Sequence, residues 1–362
     1  MPSRWWLLTQ AVFWRTLMRI GMFLHTLGLG LGAPRPAFVR RIQFDHDAKR
    51  KIDLYFYCPP EYYEYQRHRQ GPPPPVVVNF HGGGFVLGCA TDDIFWAKAV
   101  MEQAQAVVVS VAYRRAPEHP FPAAVDDGVE ALLYLTRHSY ELGIDASRMS
   151  LTGFSAGGNL AFAVSLRLQD RLQQFLQQQQ RSDSCSDLLQ LDTKTSKDHL
   201  VNVAEMEISP PAAIPTVVSI FSWYPVLDFL TSREHRRAAS VFPDKTLPRF
   251  FTTLFDESYL PNHADRASPF ASVERAPDAM LNDGLPHDVF VYMCEWDMLL
   301  HEGQRFVRRL QGMRKNVRSM MIENVPHAWD KSPNPFRDQA KVDMLYTEAC
   351  SEMKVIFDRA LA

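Results

Sequence analysis

Ser155 stands in Gly153-Phe154-Ser155-Ala156-Gly157, after the apolar run Met149–Leu151 and before a segment of helical period. A serine hydroxyl is a weak nucleophile. Holding it on a sharp strand-to-helix turn projects its Oγ clear of the backbone. Gly153 and Gly157 give such a turn its room, and the helix N-terminus behind it favours developing negative charge. A second glycine cluster, His81-Gly82-Gly83-Gly84, leaves the strand pattern Val76–Phe80. Acyl transfer needs backbone N–H groups aimed at the oxyanion of the tetrahedral intermediate, and glycines let a backbone approach that closely. The residue after the nucleophile, Ala156, supplies a partner N–H. A phosphate-cradling loop is the competing reading, disfavoured because no Lys-Ser/Thr follows and no Gly-x-Gly-x-x-Gly is present.

A serine on such a turn needs an acid and a base, in the chain order Ser, Asp or Glu, His, each just past a strand. Asp297 follows the strand pattern Asp288–Cys294, and His327 follows Val317–Ile322. The residues between them hold one helix and one strand, which returns both side chains to the same edge of a sheet. Other histidines fail this test: His81 belongs to the glycine loop, and His25, His119, His199 and His263 precede any suitable strand. Glu295 and Glu302 are the runner-up acids. Glu295 lies close to the strand, and Glu302 would begin the next helix, where an acid is ordinary.

The elements that must carry these residues alternate. Apolar, β-branched runs at Lys51–Cys58, Val76–Phe80, Ala106–Ala112, Met149–Leu151, Thr216–Trp223, Asp288–Cys294 and Val317–Ile322 read as strands. Segments of helical period occupy Thr91–Gln105, Asp126–Leu142, Ala156–Gln174, Glu302–Met313 and Arg337–Ala360. Strands alternating with helices imply an α/β fold whose mostly parallel sheet is covered on both faces. Glu61–Pro75 is polar, aromatic and proline-rich, and reads as an exposed loop. Residues 175–212, with a glutamine tract and a Ser/Asp/Lys-rich run, read as a disordered insertion after an extended helix.

The first 44 residues hold six arginines, three tryptophans and no acid. Their longest uncharged run, Ile20–Pro34, is too short to span a bilayer, and no small-x-small cleavage site follows a clean apolar core. The favoured reading is a pair of amphipathic helices packed over the site; the other is an interfacial helix making peripheral membrane contact through residues 1–34. Five scattered cysteines without a CxxC pair argue against a disulfide framework or zinc site and for a cytoplasmic protein, the alternative being the endoplasmic reticulum or membrane attachment through the N-terminus. A net charge of −2 carries no nucleic-acid signature. At 46% hydrophobic the chain is no disordered protein, and 17 glycines are too few for collagen. Seven of those 17 fall in the two segments that carry the chemistry: Gly82, Gly83, Gly84, Gly88, Gly153, Gly157 and Gly158.

Together the His81–Gly84 and Gly153–Asn159 segments resemble the hormone-sensitive-lipase-like family of α/β-hydrolases, which includes bacterial carboxylesterases and arylacetamide deacetylases. The blocks Ser110–Asp127 and Tyr224-Pro-Val-Leu-Asp228 are similar to those of that family, and the resemblance runs from about Val76 to the C-terminus. It implies one α/β-hydrolase domain over residues 1–362, with an eight-stranded sheet and a helical cap formed by residues 1–40 and about 229–265. It also implies a Ser155-His327-Asp297 triad, with the amides of Gly83, Gly84 and Ala156 as the oxyanion hole. Three departures stand out. Phe154 occupies a place usually held by Asp or Thr, His301 replaces an acid, and Ala328-Trp329 replaces Gly-Phe after the histidine. Phe85, Phe154 and Trp329 are the candidate substrate-pocket residues, and Phe229, Phe242, Phe250, Phe251 and Phe255 give the cap an aromatic character.

The expected activity is hydrolysis of an ester, an acetyl ester among the candidates, of a small apolar molecule, without metal or cofactor. Hydrolases resembling this one also serve fungal secondary metabolism. An acyltransferase or an amide deacetylase would use the same triad. A non-catalytic receptor is the alternative from another class, and plant gibberellin receptors of similar sequence lack the histidine that this chain keeps.

Overall fold

Residues 75–80, Pro-Val-Val-Val-Asn-Phe, are buried throughout, as a strand covered on both faces must be. They sit in the middle of an eight-stranded sheet. The computed structural model describes residues 2–28, 34–44, 47–191, 214–331, 334 and 337–362. In chain order the elements begin with α1 (Arg4–Gly28), β1 (Phe38–Phe44), β2 (Asp47–Tyr57), α2 (Pro60–His68), β3 (Pro75–Phe80) and α3 (Ile94–Ala99). Then come β4 (Val107–Ala112), α4 (Ala123–Arg137), α5 (Ser139–Leu142), β5 (Asp145–Phe154), α6 (Ala156–Leu191) and β6 (Val217–Trp223). The chain finishes with α7 (Arg233–Ala239), α8 (Arg249–Tyr259), α9 (Asp278–Gly284), β7 (Asp288–Cys294), α10 (Leu300–Gly312), β8 (Asn316–Ile322) and α11 (Gln339–Leu361).

The strand order is β1-β2-β4-β3-β5-β6-β7-β8. Strands β4 to β8 pair in parallel, while β1 and β2 form an antiparallel edge. One face is covered by α4, α6, α9 and α10, the other by α3 and α11. Helix α11 shows why: Val342, Leu345, Tyr346, Ala349, Cys350, Met353, Ile356 and Phe357 recur at helical spacing and are all buried. Each large apolar side chain so buried is worth about 1.5–3 kcal/mol against exposure.

Helices α7 and α8 lie over the carboxyl ends of the strands as a cap region, and the ends of that excursion are tied together. Phe229 N–H donates to Ser272 Oγ at 2.8 Å, and Glu274 N–H donates to Leu227 O at 3.0 Å. Asp228 accepts from Leu230 N–H at 2.8 Å, Thr231 Oγ1 at 2.7 Å and Arg275 at 2.9 Å.

Four expectations need correction. Strand β1 was missed, because Phe38-Val-Arg-Arg-Ile-Gln-Phe44 buries only Ile42 and Phe44 and reads as part of the arginine-rich leader. Glu61–Pro75 is partly helical: α2 starts on Pro60, where a missing N–H costs nothing, and buries Tyr62. The N-terminus forms one helix in place of two. No proline interrupts it after Pro2, and Gly21 costs about 1 kcal/mol, too little to break a docked helix. Helix α6 continues to Leu191, so residues 175–191 are helical; residues 192–212 of the expected insertion lie outside the described residues.

Helix α1 rests on α8. Its Trp14 ring packs 5.4 Å from Phe250 and 4.9 Å from Phe251. Arg15 fixes the docking: it donates to Val86 O and Ala116 O at 2.7 Å and makes a forked pair with Glu118 at 2.5 and 2.9 Å. Arg15→Ala leaves two carbonyls and a carboxylate without this donor, and should cost about 2 kcal/mol in urea unfolding.

Asp228 gives a second prediction. Burial opposes its ionisation, yet the Arg275, Thr231 and Leu230 donors outweigh burial and hold the carboxyl down at about 2. A carboxyl depressed in the folded state contributes stability above its unfolded value of 3.8, and that contribution disappears as pH falls towards 2. Thermal melts across this window should drop less steeply for Asp228→Asn than for the wild type.

Candidate active site

Ser155 joins β5 to α6 in a left-handed backbone conformation, with φ at 56°, which an L-residue adopts only when its surroundings force it. The forcing contacts are backbone. A Cβ on Gly153 would stand 2.2 Å from Gly157 O, and one on Gly157 would stand 1.9 Å from Phe80 O. Ser155 N–H donates to Trp223 O at 2.8 Å, which holds the turn against the next strand. Asn159, one turn into α6, donates to Val226 O and Ala271 O, both at 2.8 Å.

His327 Nε2 lies 2.8 Å from Ser155 Oγ, and its Nδ1 lies 2.5 Å from Asp297 Oδ2. Both side chains are almost wholly buried. The carboxylate therefore keeps the proton on Nδ1 and leaves Nε2 free to accept one. Pairing beyond the strand ends brings the two loops together: Glu295 N–H donates to Ile322 O, and Trp296 N–H donates to Val325 O, each at 3.1 Å. The runner-up acids are engaged elsewhere. Glu295 accepts from Asn324 N–H at 2.8 Å. Glu302 is buried between Arg236 at 2.8 Å and Leu227 N–H at 2.7 Å, and burial pushes its carboxyl up.

The glycine loop lies against this turn. Phe80 pairs with Gly153, and a Cβ on Gly82 would stand 3.0 Å from Phe154 O. Gly83 and Gly84 have φ of 110° and 62°, and Gly83 O accepts from Val86 and Leu87 N–H, closing a tight turn. His81 supports the loop from beneath. Its ring stacks 4.2 Å from Tyr113, and burial pushes its pKa down, so it stays neutral and its Nδ1 donates to Gly82 O at 2.8 Å. Ala156 is the first residue of α6, where the helix dipole is positive.

Gly84, Phe85, Ser155 and His327 share one narrow cavity with Phe229, Arg233, Leu247, Phe255, Asp256 and Leu299. The Phe255 ring lies so close that a Cβ on Gly84 would meet it at 2.2 Å. Of the three pocket candidates, only Phe85 lines this space. Phe154 faces the opposite side of the sheet, packed on Trp223 and Trp96 with the Lys331 ammonium 2.9 Å over its ring. Trp329 is buried in the core layer beside α11. Both side chains are packed away from the cavity, in the layer of core that holds α3 and α11. Of the cap aromatics, Phe229 and Phe255 reach the cavity, Phe250 and Phe251 hold α1, and Phe242 packs on Trp296 at 5.4 Å.

Sequence reasoning missed two features. Arg233 and Asp256, on α7 and α8, form a forked ion pair at 2.6 and 2.8 Å on the cavity wall. Burial works against the Arg233 charge, and Asp256, with smaller help from Glu302 and Asp297, more than offsets it. The second feature is a buried polar network behind the histidine. Asp330 accepts from Tyr224 Oη and Tyr346 Oη, both at 2.5 Å, and Lys331 bridges to Asp93 at 2.7 Å. Asp93 accepts from Asn79 at 3.0 Å, and Asn79 accepts from Thr152 at 2.9 Å. The Tyr224 ring also packs edge-on against His327 at 4.9 Å. Only the position of Asp330, three residues past His327, hinted at this role. Among the described residues no three His, Cys, Asp or Glu side chains converge to hold a metal ion.

A family model described as the alpha/beta hydrolase fold matches residues 77–331. An AB hydrolase superfamily protein of Schizosaccharomyces pombe is 29% identical over 249 residues, 68% of this chain and 61% of its own length. A carboxylesterase of Mycobacterium tuberculosis is 47% identical over 94 residues, 26% of this chain and 30% of its own. The chain thus spans less than two thirds of the length of these relatives. An esterase structure from Pyrobaculum calidifontis superposes with a TM-score of 0.69 at 23% identity, covering 94% of this chain and 92% of that one; at this identity the likeness is one of fold.

The network behind His327 makes a prediction. Asp330→Ala strands two buried tyrosine hydroxyls and leaves Lys331 without one of its two carboxylates, so urea unfolding should show a loss of about 3 kcal/mol.

Proposed function

Since the family model covers well over half of the chain, the protein belongs to the alpha/beta hydrolase fold family, and on that premise we propose that it is a serine carboxylic-ester hydrolase. The observation that carries this reading is His327 Nε2 at 2.8 Å from Ser155 Oγ while a buried Asp297 holds the opposite ring nitrogen. Its supporting context is the esterase names of the relatives. Within the family, His81–Gly84 and Gly153–Asn159 favour the hormone-sensitive-lipase-like branch.

His327 takes the Ser155 proton as Oγ attacks the ester carbonyl. Asp297 holds the imidazole in the accepting tautomer and stabilises the imidazolium that forms. The amides of Gly83, Gly84 and Ala156 receive the oxyanion, a donor in such a site being worth about 3 kcal/mol. His327 then gives its proton to the leaving alcohol. Water, activated by the same imidazole, clears the acyl-enzyme and releases the acid. Phe255 and Phe229 crowd the cavity, which supports a small acyl group. The Arg233–Asp256 pair is already satisfied within itself, which supports an uncharged ester as the substrate.

The test is turnover of short-chain nitrophenyl esters together with fluorophosphonate labelling. Ser155→Ala should lower kcat by roughly four to six orders of magnitude and abolish labelling. A wild type that neither takes the label nor turns over any of the esters would point to a binding protein and defeat the proposal. Phe255→Ala should shift the chain-length optimum towards longer acyl groups, read as kcat/KM across an acetate-to-octanoate series, because it removes the ring over Gly84.

A further inference from the structure

Helix α1 has two apolar faces. Leu7, Ala11, Trp14 and Met18 pack inward on the core. On the opposite side Trp5, Trp6, Phe13, Ile20, Phe23 and Leu24 are 50–73% exposed. At 3.6 residues per turn those six side chains fall within an arc of about 100°. Helices that are apolar all round are covered on both sides, by protein or by lipid, and a contiguous exposed stripe of this kind marks an interaction surface. Among the described residues only the inner side of α1 is covered.

The charges choose the cover. Arg19 is exposed on the flank of the apolar arc, and α1 carries three arginines and no acid. A second copy laid against the same face would bring these flanks together without an acid on α1 to meet them. An anionic bilayer meets both demands. Tryptophan and phenylalanine settle at the headgroup boundary, and arginines pair with phosphate and carboxylate headgroups. Among the described residues no helix is long and apolar enough to cross a membrane, so α1 would lie on the surface and not span it. We propose that the outer face of α1 docks the protein peripherally on anionic lipid bilayers. The docked face adjoins the cap, because α8 carries both Phe250 and Phe251, which hold α1, and Phe255, which lines the cavity.

The experiment is co-sedimentation of the full chain with vesicles of phosphatidylcholine alone or mixed with phosphatidylserine, a readout independent of turnover. The wild type should pellet with the phosphatidylserine vesicles, bind less in high salt, and gain about fivefold in partitioning for each arginine engaged. A Phe13→Glu, Ile20→Glu, Phe23→Glu variant should stay in the supernatant while keeping the wild-type circular dichroism spectrum and melting temperature. Three results would overturn the proposal. One is wild type that stays soluble with both vesicles, and another is a variant that pellets as the wild type does. The third is a dimer, seen by light scattering, that the variant breaks into monomers while neither protein binds vesicles.

Discussion

Two backbone segments touch at the centre of this molecule with no side chain between them, and the site depends on that contact. The Phe80 carbonyl lies where a Cβ on Gly157 would be, and the Gly157 carbonyl lies where a Cβ on Gly153 would be. Glycine at these positions lets β3 and the turn after β5 close on each other. That closure sets Ser155 upright with its left-handed backbone and lays the His81–Gly84 loop along the cavity. Conformational strain at one residue is tolerable because strands on both sides over-determine it.

The histidine arrives by a different principle. It sits five residues past the end of β8, where a loop has no regular partner, so its position must come from contacts. Pairing of Glu295 and Trp296 with the opposite loop fixes the backbone. The buried Asp330, between two tyrosines, fixes the end of the loop and sets Tyr224 against the imidazole. These polar groups are all satisfied, as a buried network must be to stabilise a loop at all. The network also reaches Thr152 on β5 through Asn79, so the strand that leads into Ser155 and the histidine loop share one set of hydrogen bonds.

The cap is held at its edges. Asp228, Arg275 and Ser272 close the neck of the excursion, while Arg233–Asp256 joins α7 to α8 across the cavity wall. Helix α1 is fastened to α8 by aromatic packing and to the glycine loop by Arg15 donating to Val86 O. A change at the N-terminal helix therefore has a short mechanical path to the loop beside Ser155.

Sequence alone determined whatever is local or periodic. Seven of the eight strands were legible: β3 to β7 as the continuous β-branched runs of buried strands, β2 and β8 as apolar runs nearer the edges; the positions of Ser155 and the glycines were legible because tight backbone geometry demands those residues. Asp297 and His327 could be picked out because topology returns strand ends to one edge of the sheet. The edge strand β1 escaped, since pairing on one side only leaves half its residues free to be polar. Tertiary structure alone decided which aromatic residues face the cavity. Phe85 and Phe255 do, and Phe154 and Trp329 do not, although nothing in residue type separates them. It alone paired Arg233 with Asp256 and Asp330 with Tyr224 and Tyr346. The direction of a side chain and the partner of a charge depend on what folds against it from distant parts of the chain, and that information has no local period to read.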